Sequence, residues 1–400
     1  MKQRRSILVL SSLFPRPRNP VSGIFNYQVL SALSPLADME LFSPVSWLDR
    51  IGERLFSRRA PGSDVRRAAA GSRPDGLDPR YPLHFSMPVV GRSLNGYFQY
   101  RAILRAAAEA HLRKRFDVML CYWVYPDGDA AFRLSGSLGI PYVLVALGSD
   151  LNVMGHAGQT KRLIRRTLRG ARRVIAVSDA LRSQAVALGA PPDAVSVVRN
   201  GVNTRIFTVQ ARQECRDRLD IGAGERVIVF VGDMLPVKGF DVLLDALALM
   251  EGDRPTAIFV GAGTYRRAFE RRAAGLGLGR TARFTGQVPH EEVAGYLNAA
   301  DFLVLPSRLE GCPNVVLEAL ACGTPVIASA VGGIPELITR PDQGILVPPD
   351  SPPELAKAMR EGFLRSWRRD EIARTSTRTW EDAARETHEI IERCLDDRPA

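Results

Sequence analysis

Apolar residues fall in short runs along this chain, and the runs alternate with stretches in which they recur every three to four positions. In the first half, runs at 6–10, 117–122, 141–146, 173–177 and 196–198 predict buried strands. Helical periodicity at 26–33, 94–115 and 129–138 separates several of them. In the second half, strands are predicted at 226–231, 256–260, 282–285, 302–306, 325–328 and 344–347. Helices are predicted between and after them at 241–250, 266–276, 291–299, 313–321, 333–338 and 353–364. Short apolar strands joined by crossover helices imply parallel sheets covered on both faces.

Two such series in succession predict an α/β protein with two doubly wound, Rossmann-like domains. The break is expected near Asn200-Gly-Val-Asn203, where a strand ends on an Asn-Gly turn signal and a polar stretch follows. The expected division is 1–200, 201–376, and a last segment 377–400 that packs back on the first domain. That segment carries an amphipathic helix with Trp380, Ala384, Ile390, Ile391 and Leu395 on its apolar side. A ligand shared by two such domains is expected between the carboxyl ends of their sheets, across a cleft.

Composition narrows the class without naming it. The 400 residues are 46% hydrophobic and 24% charged, ordinary for a globular protein. No run approaches the ~18–20 apolar residues of a membrane span. The start, Lys2-Gln-Arg-Arg followed by Ser6-Ile-Leu-Val-Leu, imitates a signal peptide but runs into Pro15-Arg-Pro without a small-residue cleavage site. It reads as a first buried strand. Five singly scattered cysteines form neither a disulfide framework nor a zinc spacing and fit a reducing cytoplasm.

The net charge of +11 is carried by clustered arginines, as in the basic stretch Lys161-Arg-Leu-Ile-Arg-Arg-Thr-Leu-Arg-Gly-Ala-Arg-Arg173. A solvated basic face and docking on an anionic membrane surface both accommodate it. Nucleic acid is disfavoured, because no recognised module or aromatic-interleaved basic segment occurs. The segment 50–80, rich in Arg, Pro and Gly, reads as an exposed loop.

The chemistry concentrates in Ser307-Arg-Leu-Glu-Gly-Cys-Pro-Asn-Val-Val-Leu-Glu318. Glu310 follows a predicted strand, and Pro313 is expected in the first turn of a helix, where its missing N–H costs nothing. The N–H groups of Asn314 and Val315 then face out of a positive helix end, which suits a phosphate. Glu318 lies one turn beyond Asn314, where a carboxylate suits a vicinal diol. An anion site beside hydroxyl-binding carboxylates fits a sugar nucleotide. Lys238, before a predicted helix, can reach an anion at the sheet's carboxyl end. Gly232 and the Gly261-Ala-Gly263 turn allow close backbone approach, although turn glycines are common.

In the first half, Gly23 opens a helix after the first strand, and Gly148-Ser-Asp150 ends another strand on the same side. These are candidates for an acceptor or phosphate loop, and equally for plain turns and caps. Asp127-Gly-Asp129 resembles a metal-binding Asp-x-Asp but also fits a helix start, and no metal is expected. The histidines form no metal-spaced pair. His156 is a candidate by its nearness to the Gly148 loop, while His290 opens a predicted helix and reads as structural.

These residues together resemble glycosyltransferase family 4, with the GT-B fold. The carriers are Gly232 with Lys238-Gly239, Gly261-Ala-Gly263, Glu310-x7-Glu318, Gly323-Thr-Pro-Val and Gly332-Gly-Ile-Pro-Glu336, with Asn200-Gly-Val at the interdomain position. The resemblance spans the chain and is strongest in the second half. It implies a retaining transferase that moves a sugar from a UDP- or GDP-sugar, without obligatory metal or other cofactor, to a glycan or lipid-linked glycan. Bacterial cell-surface or exopolysaccharide synthesis is the implied setting, at the cytoplasmic side of the membrane. It also implies roles: Lys238 at the donor diphosphate, Asn314 and Val315 amides at the diphosphate or sugar, Glu318 on ribose hydroxyls, and Glu310 beside the transferred sugar. Retention without a protein nucleophile would mean a front-face reaction.

Two positions depart from the family pattern. Asp233 stands where the family usually has an arginine, and Leu147 where many members have a histidine. The alternatives are a catalytically silent nucleotide-sugar-binding subunit and a nucleotide-sugar epimerase on the same fold. A dinucleotide oxidoreductase is disfavoured, since no Gly-x-Gly-x-x-Gly opens the first strand-to-helix turn.

Overall fold

A computed structural model describes residues 4–16, 19, 22–56, 77–88, 91–152, 158–250, 252 and 254–396, with side chains left undescribed at 52–56. The chain forms two compact units, Met1–Arg199 with Trp380–Ala400, and Asn200–Thr379. His156 and most of the predicted loop 50–80 lie outside the described residues; the described start of that stretch belongs to the helix Trp47–Phe56.

The first unit is built on six parallel strands: β1 (Arg5–Leu10), β2 (Ala37–Phe42), β5 (Val118–Tyr122), β6 (Tyr142–Ala146), β7 (Arg173–Ala176) and β8 (Val195–Val197). They lie in the order β2-β1-β5-β6-β7-β8. A two-stranded ribbon pairs β3 (Val45–Ser46) with β4 (Leu83–His84). The central strands are apolar on both faces because helices cover both, and every residue of β5 and β6 is buried.

The pattern did not predict β2. It is an edge strand whose Asp38 and Glu40 interrupt the apolar run, and both carboxylates face cations: Lys114 at 2.7 Å from Asp38, and Arg80 at 2.7 Å from Glu40. Charge on an edge strand also discourages pairing with another chain.

The helix Trp380–Asp396 belongs to this first unit. Trp380, Ile390, Ile391, Cys394 and Leu395 join the core formed by β1, β5 and the helix Ile24–Leu33. Trp380 stacks on Phe25 at 6.3 Å, and Glu392 takes a two-pronged bond from Arg5 at 2.7 and 3.0 Å. Burial of its apolar stripe therefore fixes this helix, in addition to its propensity.

The second unit repeats the plan with β9 (Val227–Val231), β10 (Thr256–Val260), β11 (Ala282–Gly286), β12 (Phe302–Leu305), β13 (Val326–Ser329) and β14 (Gly344–Val347). All pairings are parallel, in the order β11-β10-β9-β12-β13-β14. Strand order reverses between β9 and β12 here, and between β1 and β5 in the first unit. Loops leaving the carboxyl ends at such a reversal diverge to opposite faces and leave a crevice.

Candidate active site

Lys238 and Glu310 occupy the reversal point of the second sheet. Lys238 ends the short turn Pro236–Lys238 after β9, and Glu310 lies in the loop after β12. The ammonium Nζ lies 2.7 Å from Glu310 Oε1, and the Ser307 hydroxyl donates to the same oxygen at 2.7 Å. Ser307 is fully buried and Glu310 is 9% exposed, so the pair forms in a protected corner with its charges balanced.

Backbone close to the pair holds it in place. Gly239 has φ of +68°, and a Cβ there would come 2.0 Å from the Pro306 carbonyl oxygen. Only glycine lets the Lys238 turn press so closely on the end of β12. Gly332, at φ +53°, does the same for the Glu310 loop, since its Cβ would meet Glu310 O at 2.0 Å. The Gly333 N–H then donates to Gly311 O at 3.0 Å, and the Arg308 N–H to Val237 O at 2.8 Å.

Arg308 adds a fork to Asp241 at 2.9 and 2.8 Å and a bond to Asp350 at 2.6 Å. Its guanidinium holds the Asp241 carboxyl below the usual carboxylate range, chiefly by that hydrogen-bonded fork. Arg308 is therefore committed to clamping the two loops. Asp233, where an arginine would be expected, is exposed, and its backbone carbonyl caps the turn at Leu235.

Pro313 stands one position earlier than expected. It is the N-cap, extended at φ −71° and ψ 113°, and the helix Asn314–Ala321 begins after it. Asn314 and Val315 are thus the first two helical residues, whose N–H groups have no partner one turn back. The Asn314 side chain accepts a bond from Asn200 Nδ2 at 2.9 Å, which ties the start of this unit to the helix end.

Glu318 is 5% exposed, and its Oε1 lies 2.7 Å from His290 Nε2. His290 begins the turn His290–Glu292 after β11, and its ring packs on Phe207 with centroids 5.1 Å apart. Burial pushes this imidazole down, but the hydrogen bond and charge of Glu318 outweigh it and leave the ring above its ordinary range. Sequence reasoning missed this contact, and also Ser307 and Arg308. Their residue types carried no signal, because each acts through a partner that the fold supplies.

The glycines sit where expected, but their close approaches are to the chain itself. A Cβ on Gly263 would meet Met234 O at 2.7 Å, and the Met234 N–H donates to Ala262 O at 2.8 Å. Gly232, directly after β9, donates to Val260 O at 3.0 Å. These bonds join the loops after β9 and β10 along the same sheet edge as Lys238.

In the first unit the candidates for an acceptor loop are engaged within the chain. Asp150 is fully buried, and its carboxylate accepts from the N–H groups of Val124, Leu147, Gly148 and Leu151 at 2.8–3.2 Å. It ties two strand-end loops together and offers no oxygen to a ligand. Burial raises its pKa against the pull of those four donors. Gly148, at φ +135°, spends its N–H on Asp150 and its carbonyl on the turn Ser149–Asn152. Gly23 caps the helix Ile24–Leu33 and presses on Leu13 and Phe14.

Leu147 is half-buried against the core. The carboxylates of Asp127-Gly-Asp129 are used separately. Asp129 pairs with Arg133 at 2.9 Å and with Arg166, while Asp127 accepts the Ser12 N–H at 2.6 Å.

Comparison with known proteins decides the family. Residues 54–206 match the model described as Glycosyltransferase Family 4, and residues 211–379 that described as Glycosyl transferases group 1. A Bacillus subtilis (strain 168) protein carrying the name teichuronic acid biosynthesis glycosyltransferase TuaC is 31% identical over 366 residues, 88% of each chain. The chain belongs to glycosyltransferase family 4.

The D-inositol 3-phosphate glycosyltransferase of Thermobifida fusca (strain YX) is 32% identical over 323 residues, 75% of this chain and 71% of that one. The fold is shared with sucrose-phosphate synthase of Thermosynechococcus elongatus, at TM-score 0.80 and 20% identity over 99% and 100% of the two chains. It is shared too with Anabaena Alr3699/HepE solved with UDP and glucose, at TM-score 0.74 and 20% identity over 98% and 100%. The architecture is GT-B, with two Rossmann-like domains, and the protein is a glycosyltransferase. Among the described residues, no helix is long and apolar enough to cross a membrane.

Proposed function

We propose that this protein transfers a sugar, with retention at the anomeric carbon, from a nucleotide-sugar to a glycan or lipid-linked glycan of a bacterial surface polysaccharide. The observation that carries the reading is the Lys238–Glu310 pair at the reversal of the second sheet, beside the helix that bears Glu318. The name of the Bacillus subtilis relative supports the setting. UDP is the first nucleotide to test, because the Anabaena neighbour was solved with it.

In this reading the donor diphosphate lies against the Asn314 and Val315 N–H groups and Lys238, which stabilise the charge that grows on the leaving group. Gly232 and Gly263 shape the loops that border it. Glu318 takes the ribose hydroxyls, and Glu310 takes hydroxyls of the transferred sugar. The bond from C1 to the diphosphate oxygen breaks, and the bond from C1 to the acceptor oxygen forms on the same face. The acceptor's proton passes to the departing phosphate. With Arg308 engaged by Asp241 and Asp350, this reading leaves the diphosphate charge to Lys238 and the helix end. The basic helix Gly158–Gly170, with Lys161, Arg162, Arg165 and Arg169 exposed, would rest the enzyme on an anionic inner membrane surface.

The test is transfer from radiolabelled UDP- and GDP-sugars to membrane extract, with and without chelator. The expected result is a chelator-insensitive labelled glycan whose linkage keeps the donor's anomeric configuration, abolished by Glu310→Gln. Absence of transfer from every common UDP- and GDP-sugar, or an inverted linkage, would overturn the reading.

A further inference from the structure

We propose that His290 is a positioning residue for nucleotide recognition: its imidazole fixes one oxygen of Glu318 so that the other is presented to the ribose hydroxyls. The inference rests on the reading that Glu318 contacts the ribose. Nε2 meets Glu318 Oε1 at 2.7 Å, and among the described residues this is the hydrogen bond the carboxylate makes. A carboxylate only 5% exposed, held at one oxygen, has a single remaining oxygen for a ligand. The imidazole is itself held, since its ring packs on the buried Phe207 and its position is set by the turn His290–Glu292.

The same arrangement occurs at Glu310, where Lys238 and Ser307 both occupy Oε1. Each glutamate is thus anchored at one oxygen by a group from another loop. Without the imidazole, Glu318 would be a buried carboxylate with no partner, and it would turn or take up a proton. Either change removes the acceptor on which a ribose hydroxyl depends. His290 thereby acts on the ribose end of the donor and leaves the diphosphate contacts intact.

The experiment uses the full chain and measures affinity for UDP and GDP, each beside its 2′-deoxy form. For the diphosphate that binds, the expected preference for ribose over 2′-deoxyribose is about tenfold in the wild type. His290→Leu should bring that preference close to one, while His290→Gln, whose amide N–H reaches the place of Nε2, should keep it. Glu318→Gln should lose it as well, and the double variant H290L/E318Q should be no weaker than E318Q.

If E318Q keeps the wild-type preference, or if neither UDP nor GDP binds, the ribose reading fails and this inference with it. If E318Q loses the preference but H290L keeps it, the positioning role alone fails. H290L weakening ribose and deoxyribose forms equally would also overturn it, because that is what a merely structural histidine would do. Should H290L not fold, His290→Asn, whose amide stops short of Glu318, takes its place. Equal preferences in H290Q and H290N would then count against the inference.

Discussion

Lys238 and Glu310 are ion-paired at 2.7 Å across the point where the second sheet reverses its strand order, one following β9 and the other β12. Each neutralises the other in a largely buried corner, so a diphosphate bound as proposed above would share Lys238 with Glu310. The two residues are therefore coupled. Lys238→Ala and Glu310→Gln should each lower kcat/KM by roughly 10²-fold or more, on the scale of removing one preorganised polar group from an active site. The double variant should lose much less than the product of the two. A fully multiplicative loss in a steady-state cycle would show that the pair does not act as a unit.

Close backbone approach at Gly239 and Gly332 should make both positions intolerant of alanine. Each has positive φ, and each Cβ would lie 2.0 Å from a carbonyl oxygen, of Pro306 and of Glu310 respectively. Gly239→Ala and Gly332→Ala should each cost about 2 kcal/mol or more in urea unfolding, through strain and displaced loops. Folded Gly332→Ala protein should also lose turnover, because the displaced backbone carries Glu310. Wild-type stability in either variant would contradict this packing.

Asp127 gives the first unit a pH-dependent weakness. It is fully buried at the reversal point of the first sheet, and burial lifts it to about 6 against the bond from Ser12 N–H. Among the described residues, neither its Oδ1 nor the buried Oε1 of Gln99 has a partner in hydrogen-bond geometry. A carboxyl raised above its unfolded value contributes stability that is present below about pH 4 and lost as pH rises through about 6. Asp127→Asn removes the ionisation, and its amide oxygen can still accept from Ser12. The variant should match wild type near pH 4 and exceed it by ~1–3 kcal/mol at pH 8. A stability difference that does not change with pH, followed by denaturant midpoints, would refute this.

His290 should contribute in the same direction for a different reason. Glu318 holds the imidazole above its ordinary range, so the pair's stability is complete below about pH 6.5 and is lost as pH rises through the raised value. His290→Gln should flatten that part of the stability profile, measured as melting temperature against pH between 5 and 9. An unchanged profile would mean that the ring titrates elsewhere.

The architecture was legible in the sequence because its causes are local. Strands buried on both faces must be apolar throughout, and helices between them must carry a stripe, so all six strands of the second sheet could be placed from pattern alone. The edge strand β2 escaped because an edge carries charge, and Asp38 and Glu40 break the apolar run. The spacing of Glu310 and Glu318 around a helix start was legible for the same local reason, since a loop and one turn of helix fix both.

Tertiary structure decided everything that joins distant positions. Lys238 and Glu310 are 72 residues apart, His290 and Glu318 28, and Asn200 and Asn314 114. No periodicity encodes such pairs; strand order creates them by setting loops side by side. It also bears on a reading that the residues left open. Asp150 has the residue type and position of a ligand contact, yet four backbone N–H groups converge on it and satisfy it within the fold. The sequence by itself determined which elements form and which side chains could do chemistry. Only packing decided which polar atoms are spent on the protein and which are left for a substrate, because hydrogen-bond satisfaction in a buried site depends on every neighbour at once.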